Sequence, residues 1–159
     1  MSHRLEPGPV APPTERALEI RSPRGREEME QYYDLRWRIL RAPWAQGRGG
    51  ERDEHEEEAF HVAAWAGGRI VGVGRLHFTA RHEAQIRYMA VESELQGRGI
   101  GGRILAELEQ CARAAGAGKI VLNARDRAVE FYRQHGYRVM RPSEVLFDAI
   151  PHWQMEKAL

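Results

Sequence analysis

The sequence predicts an α+β fold, a mixed α/β sandwich in which a central mixed, mostly antiparallel sheet is flanked by helices. Three observations predict it. Strand-like alternating runs cluster before residue 91, and an amphipathic helix follows a glycine-rich segment at 97–102. The chain then closes with a strand, a short helix and two more strands, in an order that suits one mixed sheet. At 159 residues the chain has the size of one domain with a real core.

Residues 1–16 carry Pro7, Pro9, Pro12 and Pro13 among scattered charges and are expected to be a disordered leader, with the folded domain at 17–159. Order begins with the apolar piece 18–20. A helix follows over 27–41, where Met29, Tyr32, Tyr33, Arg36, Trp37 and Leu40 recur at helical spacing. Glu27 and Glu28 suit its first turn and Pro43 stops it. Segments 60–66 and 69–78 read as a hairpin around Gly67-Gly68, and 84–91 as a third strand. The helix after the glycines carries Ile104, Leu105, Leu108, Cys111, Ala112 and Ala115 on one side. Residues 119–124 form a buried-type strand, 126–135 a short helix, and 137–140 and 151–156 the last two strands. Segments 41–60 and 141–151 read as irregular.

Hydrophobic residues make up 42% and charged residues 30%, the composition of a soluble globular chain. A net charge of +1 gives no general attraction to nucleic acid or to an anionic membrane. The single cysteine, Cys111, excludes an internal disulfide and fits a reducing cytosol. No apolar run approaches the roughly 20 residues of a membrane span. A cytoplasmic protein is expected. No H-E-x-x-H pair or second cysteine is present, so no metal site is expected, and there is no G-x-S-x-G elbow.

Gln96-Gly97-Arg98-Gly99-Ile100-Gly101-Gly102 is the most informative stretch. Glycines permit a sharp turn that converges backbone N–H groups, and the helix that follows begins with unpaired N–H groups and a partial positive charge. Together they make a cradle for a phosphate or pyrophosphate, to which Arg98 and Arg103 add charge. Gly97, Gly99 and Gly102 satisfy the dinucleotide fingerprint, but five residues separate them from the strand, no acid ends the next strand, and too little chain remains for a doubly wound sheet.

Gln96-Gly97-Arg98-Gly99-Ile100-Gly101 resembles the GNAT superfamily motif that holds the pyrophosphate of acetyl-CoA at a helix start. The strand before it resembles the one whose backbone binds pantetheine, here Met89, Ala90 and Val91. Downstream, Asn123, Ala128, Phe131, Tyr132, Gly136 and Tyr137 resemble the family's second pattern. The segment 150–155 is also similar to the tail of a poorly characterised bacterial subgroup.

The resemblance implies an acyl-CoA-dependent N-acetyltransferase, with acetyl-CoA as donor, an amine as acceptor, and a homodimer as one assembly; the charge and hydropathy above give the expectation of no nucleic-acid or membrane partner. It implies cofactor contacts from Met89, Ala90, Val91, Gln96, Gly97, Arg98, Gly99, Ile100, Gly101, Gly102, Asn123 and Phe131. It assigns Tyr132 as general acid toward the leaving thiolate, a phenol of pKa about 10 facing a thiol of about 8.5. A backbone N–H near Met89 is expected to stabilise the oxyanion, which requires two strands to part. No unique base emerges from Glu83, Glu92 and the run Asp53, Glu54, Glu56, Glu57 and Glu58. That run reads as a solvated face, with a groove that attracts a cationic amine as a second reading. A non-catalytic acyl-CoA-binding module or sensor is the alternative function.

Overall fold

The computed structural model describes residues 18–159, so the leader expected at 1–16 lies outside the described residues. Strands β1 (Glu19–Arg21), β2 (Phe60–Ala66), β3 (Arg69–Ala80), β4 (Glu83–Val91), β5 (Lys119–Arg125), β6 (Arg138–Leu146) and β7 (Ile150–Ala158) form one sheet in the order β1-β2-β3-β4-β5-β7-β6. Only β4 and β5 pair in parallel. Helix α1 (Gly25–Leu40) covers one face, and α2 (Ile100–Ala114) and α3 (Val129–Gln134) cover the other. The expected α+β sandwich is what the chain forms. Among the described residues no helix is long and apolar enough to cross a membrane.

Two departures from the expected boundaries are more than a shift of a residue or two. The helix expected over 126–135 begins as a 3-10 turn at Asp126–Ala128 and becomes α-helical only at Val129. The segment expected to be irregular after residue 140 is strand, since β6 continues to Leu146 against β7. As an edge strand exposed along most of its length, β6 has no apolar alternation to read, and its Pro142 sits where a missing N–H costs little.

Each face of the sheet buries its own cluster. On one side Ile100, Ile104, Leu105 and Leu108 of α2 lie on Val62, Val71 and Leu76. On the other, Tyr32, Leu35 and Leu40 of α1 lie on Ala63, Val73, Tyr88 and Ala90. Helix α2 approaches closely because β3 presents Gly72 and Gly74 to it. A Cβ at Gly74 would stand 2.6 Å from Met89 Sδ, 2.8 Å from Ile104 Cγ2 and 2.9 Å from Leu108 Cδ1.

The α1 face also contains a charged knot. Arg36 and Arg75 have no exposed surface. Arg36 donates to Glu56 Oε1 (2.8 Å), the Tyr32 hydroxyl (2.9 Å) and the Glu51 carbonyl (3.2 Å). Arg75 donates to Asp53 (2.6 and 3.0 Å) and to Glu56 Oε2 (2.7 Å), and Arg87 adds a contact to Asp53 Oδ2 (2.8 Å). The acidic run is therefore not simply a solvated face. Its Asp53 and Glu56 are drawn inward because two buried guanidiniums require charge partners. Nor do these two line an amine-attracting groove, since arginines saturate them.

Gly74→Ala is expected to overpack the α2 contact and cost about 1–3 kcal/mol. For a chain this size that lowers the thermal midpoint by about 2–4 °C per kcal/mol, read by calorimetry. A second expectation concerns acid. Burial alone would raise the Asp53 carboxyl, but hydrogen bonds from Arg75 and the His55 N–H, with the charges of Arg75 and Arg87, hold it well below the usual carboxylate range. The unfolded chain, with an ordinary Asp pKa of about 3.9, then takes up a proton that the native state refuses. This contribution is complete above about pH 4 and is lost as pH falls below it, so denaturant titrations at pH 2.5–5 should show a shallower pH slope in Asp53→Asn than in wild type.

Candidate active site

Strands β4 and β5 are partners only from Glu83↔Lys119 to Ile86↔Leu122. Beyond that point both continue, β4 to Val91 and β5 to Arg125, but they no longer pair. A cleft of about 370 Å³ opens between them, lined by Met89 and Tyr88 on one wall and Leu122, Asn123 and Tyr132 on the other.

The parting follows from a bulge. Val73 and Arg75 of β3 face Ala90 and Arg87 of β4, so the single Gly74 stands opposite both Tyr88 and Met89. Tyr88 takes the extra residue's conformation at φ +59°, rare for a side chain of this size. The bulge also reverses the alternation. Ile86 and Met89 pack with α2, whereas Tyr88 and Ala90 join the α1 cluster. Unbulged, Ile86, Tyr88 and Ala90 would share one face.

The glycine segment follows at the open end of β4. Gln96 Nε2 donates to the Val91 carbonyl (3.1 Å) and ties the loop to the strand end. Gly97 and Gly99 have φ of +78° and +83°, and a Cβ at either would meet open space. Gly99 caps α2 and no side chain caps the helix start, whose first turn holds no acid. The N–H groups there have no partner within the helix, which suits an anion. Arg98 is exposed beside them and Ile100 is buried beneath. Gly101 and Gly102 serve a second purpose. A Cβ at Gly101 would lie 3.3 Å from Phe131 Cζ, and one at Gly102 would lie 2.9 Å from His135 Nε2. These two glycines let α3 approach α2 and bring Tyr132 to the cleft.

Tyr132 is buried against Phe131 and Tyr137, with ring centroids at 5.0 and 5.7 Å. Burial raises its pKa above the usual phenol range. Asn123 is exposed in the cleft, one residue beyond Leu122, and alternation along β5 places it with Val121 and Arg125 on the α1 face.

Most of the carboxylates considered as a base lie elsewhere. Glu83 contacts Thr79 and Lys119 at the paired end of β4, and Glu92 is clamped by Arg38 at 2.6 and 3.3 Å. Three cleft residues went unassigned in the sequence. His152 is buried, lies opposite Arg125 across the β5–β7 ladder, and donates its Nδ1–H to the Ile150 carbonyl (2.9 Å), so that Nε2 is the ring nitrogen outside that bond. Arg41 and Arg125 line the same α1 side of the cleft. None of the three belongs to a local pattern, so only the stretch 150–155, noted for its tail resemblance, gave any signal.

Known proteins resemble this chain in sequence and in fold. The family model described as an acetyltransferase (GNAT) domain matches residues 46–159. The uncharacterized N-acetyltransferase YjcF of Bacillus subtilis (strain 168) is 39% identical over 107 residues, covering 67% of this chain and 76% of that protein. An acyl-CoA N-acyltransferase from Pseudomonas aeruginosa superposes with TM-score 0.75 at 20% identity, covering 89% of this chain and 98% of that one. A GNAT family acetyltransferase from Elizabethkingia anophelis, solved with acetyl-CoA bound, superposes with TM-score 0.73 at 16% identity over 91% of this chain and 100% of that one. The last two likenesses establish the fold alone. The family match, by contrast, spans well over half of the sequence and includes both the glycine segment and Tyr132, and from it the chain belongs to the GNAT family of acetyl-CoA-dependent acyltransferases.

Proposed function

We propose that the protein transfers an acetyl group from acetyl-CoA directly to a primary amine of a small molecule or protein, inside the cleft between the parted strands. The observation that carries this reading is Tyr132 on the wall of that cleft, on the same face of the sheet as the uncapped start of α2. The site fits the donor. N–H groups of the first turn of α2 and the open Gly97–Gly99 turn would hold the pyrophosphate, with Gln96 fixing the loop. Backbone groups of Met89, Ala90 and Val91 face no β5 partner and would receive the pantetheine arm.

The amine nitrogen attacks the thioester carbonyl, a C–N bond forms, and the C–S bond breaks. His152 Nε2 is the group we assign to take the amine proton. A backbone N–H of the bulge near Met89 stabilises the oxyanion. Tyr132 donates its hydroxyl hydrogen toward the departing sulfur. Because its pKa lies above that of an ordinary phenol, Tyr132 stays protonated through neutral and mildly alkaline pH and is always ready to donate.

Thermal melting with acetyl-CoA and with NADH tests the donor. A ligand at about 100 times its Kd adds about 2.7 kcal/mol, a shift of several degrees at this chain length. Acetyl-CoA is expected to give that shift and NADH none; the reverse result would refute the reading. For the chemistry, Tyr132→Phe is expected to lower kcat about 10²-fold with the acetyl-CoA shift intact, and His152→Gln to lower kcat similarly. In wild type, kcat is expected to show no alkaline fall traceable to Tyr132 below about pH 10. An unchanged kcat in Tyr132→Phe would remove its role as acid, and binding with no turnover of any amine would favour a sensor.

A further inference from the structure

The acceptor side of the cleft carries more positive charge than the fold neutralises. Arg41 is 7% exposed and lines the cleft with Arg125 and Arg87. Arg87 is paired with Asp53. Among the described residues, Arg41 and Arg125 form no ion pair with any carboxylate. Arg41 donates to the carbonyls of Gly50 (2.8 Å) and Leu40 (3.0 Å), and Arg125 donates to that same Leu40 carbonyl (3.0 Å). Each donor nitrogen is 3.0 Å from one oxygen, so the two guanidinium nitrogens lie within about 6 Å of each other.

Like charges at that separation repel, and the repulsion is opposed by the end of a helix and, at Arg41, by the Tyr88 and Phe147 rings, each 5.6 Å away, and by Glu51. Leu40 is the last residue of α1, and a helix C-terminus carries roughly half a negative charge. Half a charge leaves two guanidiniums far from neutral. No nearby acid reaches ion-pair distance of either arginine: Glu51, whose charge still favours that of Arg41, contacts Arg52 (3.5 Å) and the Gly49 N–H (2.7 Å), and Glu144 is an exposed residue of the same cleft. The repulsion registers at Arg125, which burial and the charges of Arg41 and Arg127 push down to about 10; Arg41 is lowered chiefly by burial, with Arg87 adding to it and Tyr88 and Glu51 opposing.

The placement decides what this charge is for. The glycine segment and Tyr132 serve the α2–α3 face, whereas Arg41 follows α1 and Arg125 lies on the opposite face of β5 from Leu122 and Ala124. The two arginines are thus across the sheet from the phosphate cradle. We propose that the acceptor is a primary amine that itself carries an oxyanion, a carboxylate or a phosphate, bound by Arg41 and Arg125 on the α1 side while its nitrogen enters the cleft. This rests on the acetyltransferase reading above. A cationic polyamine would meet repulsion at this entrance, and a neutral amine would leave the pair unmatched.

The test uses matched acceptors with the full-length protein: amino acids from glycine to 6-aminohexanoate and glutamate against their carboxamides, phosphoethanolamine against ethanolamine, and spermidine, each followed by thiol release from acetyl-CoA. Charge-assisted hydrogen bonds of the usual strength predict a preference of about 10- to 100-fold in kcat/KM for the anionic member of the best pair. That ratio is expected to collapse toward one in Arg125→Gln through KM and to be largely kept in Arg125→Lys, both measured with acetyl-CoA still raising the midpoint as in wild type. The carboxylate and phosphate arms tell which oxyanion is read. Equal use of amides, or preference for spermidine, with acetyl-CoA binding intact would overturn the oxyanion inference and leave the function standing. Failure of acetyl-CoA to bind would instead overturn the function.

Discussion

Burying a guanidinium away from water is tolerable only when hydrogen-bonded carboxylates match its charge, and Arg36 and Arg75 impose that condition on everything around them. They draw Asp53 and Glu56 out of the acidic run and so fasten the 51–58 segment to β3. Neither Nε atom finds a partner, at a cost of about 1–3 kcal/mol each. The Tyr88 ring offsets part of that cost, lying 4.5 Å from the Arg36 guanidinium and 5.0 Å from that of Arg75. Tyr88 is the residue in the left-handed conformation at the bulge. The cations therefore hold Tyr88 on the α1 face, the bulge keeps β4 turned from β5, and the cleft exists because those strands part.

Seen from the cleft, the molecule has two unlike sides. On the α2–α3 face the polar groups are mostly backbone: N–H groups at a helix start without a side-chain cap, and a strand edge without a neighbour. On the α1 face they are side chains held by non-local contacts, Arg41, Arg125 and His152. Backbone geometry suits a donor of fixed chemistry. Side-chain charges can change in one substitution without moving the sheet, which suits an acceptor that differs among relatives of one fold.

This division explains what the sequence disclosed. The turn at the glycine segment, the helix start after it and the short helix with its Phe131–Tyr132 pair were legible because each leaves a local pattern. The hairpin around Gly67-Gly68 was legible for the same reason. The acidic run was misread because no local rule shows that Arg36, near the end of a helix, and Arg75, in a strand, lose all access to water. Their burial arises only when α1 closes on the sheet. Arg41, Arg125 and His152 come together from a helix end and two strands, so no spacing announces them. The double use of the glycine string was also hidden: Gly97 and Gly99 provide the turn, whereas Gly101 and Gly102 admit Phe131 and His135, a distinction that depends on where α3 lands.

The helix dipoles sharpen the contrast between the two sides. Helix α2 offers its positive start on one face of the sheet, and α1 ends with its negative carbonyls on the other. Left alone, the α1 end would favour a cationic group, the ordinary state of an amine substrate at neutral pH. Arg41 and Arg125 reverse that sign by covering the Leu40 carbonyl, and in doing so they accept burial and mutual repulsion. Under the acceptor proposal, an oxyanion on the substrate would complete the charge balance that the Leu40 carbonyl, Tyr88 and Glu51 only begin, and its arrival would stabilise both guanidiniums at once.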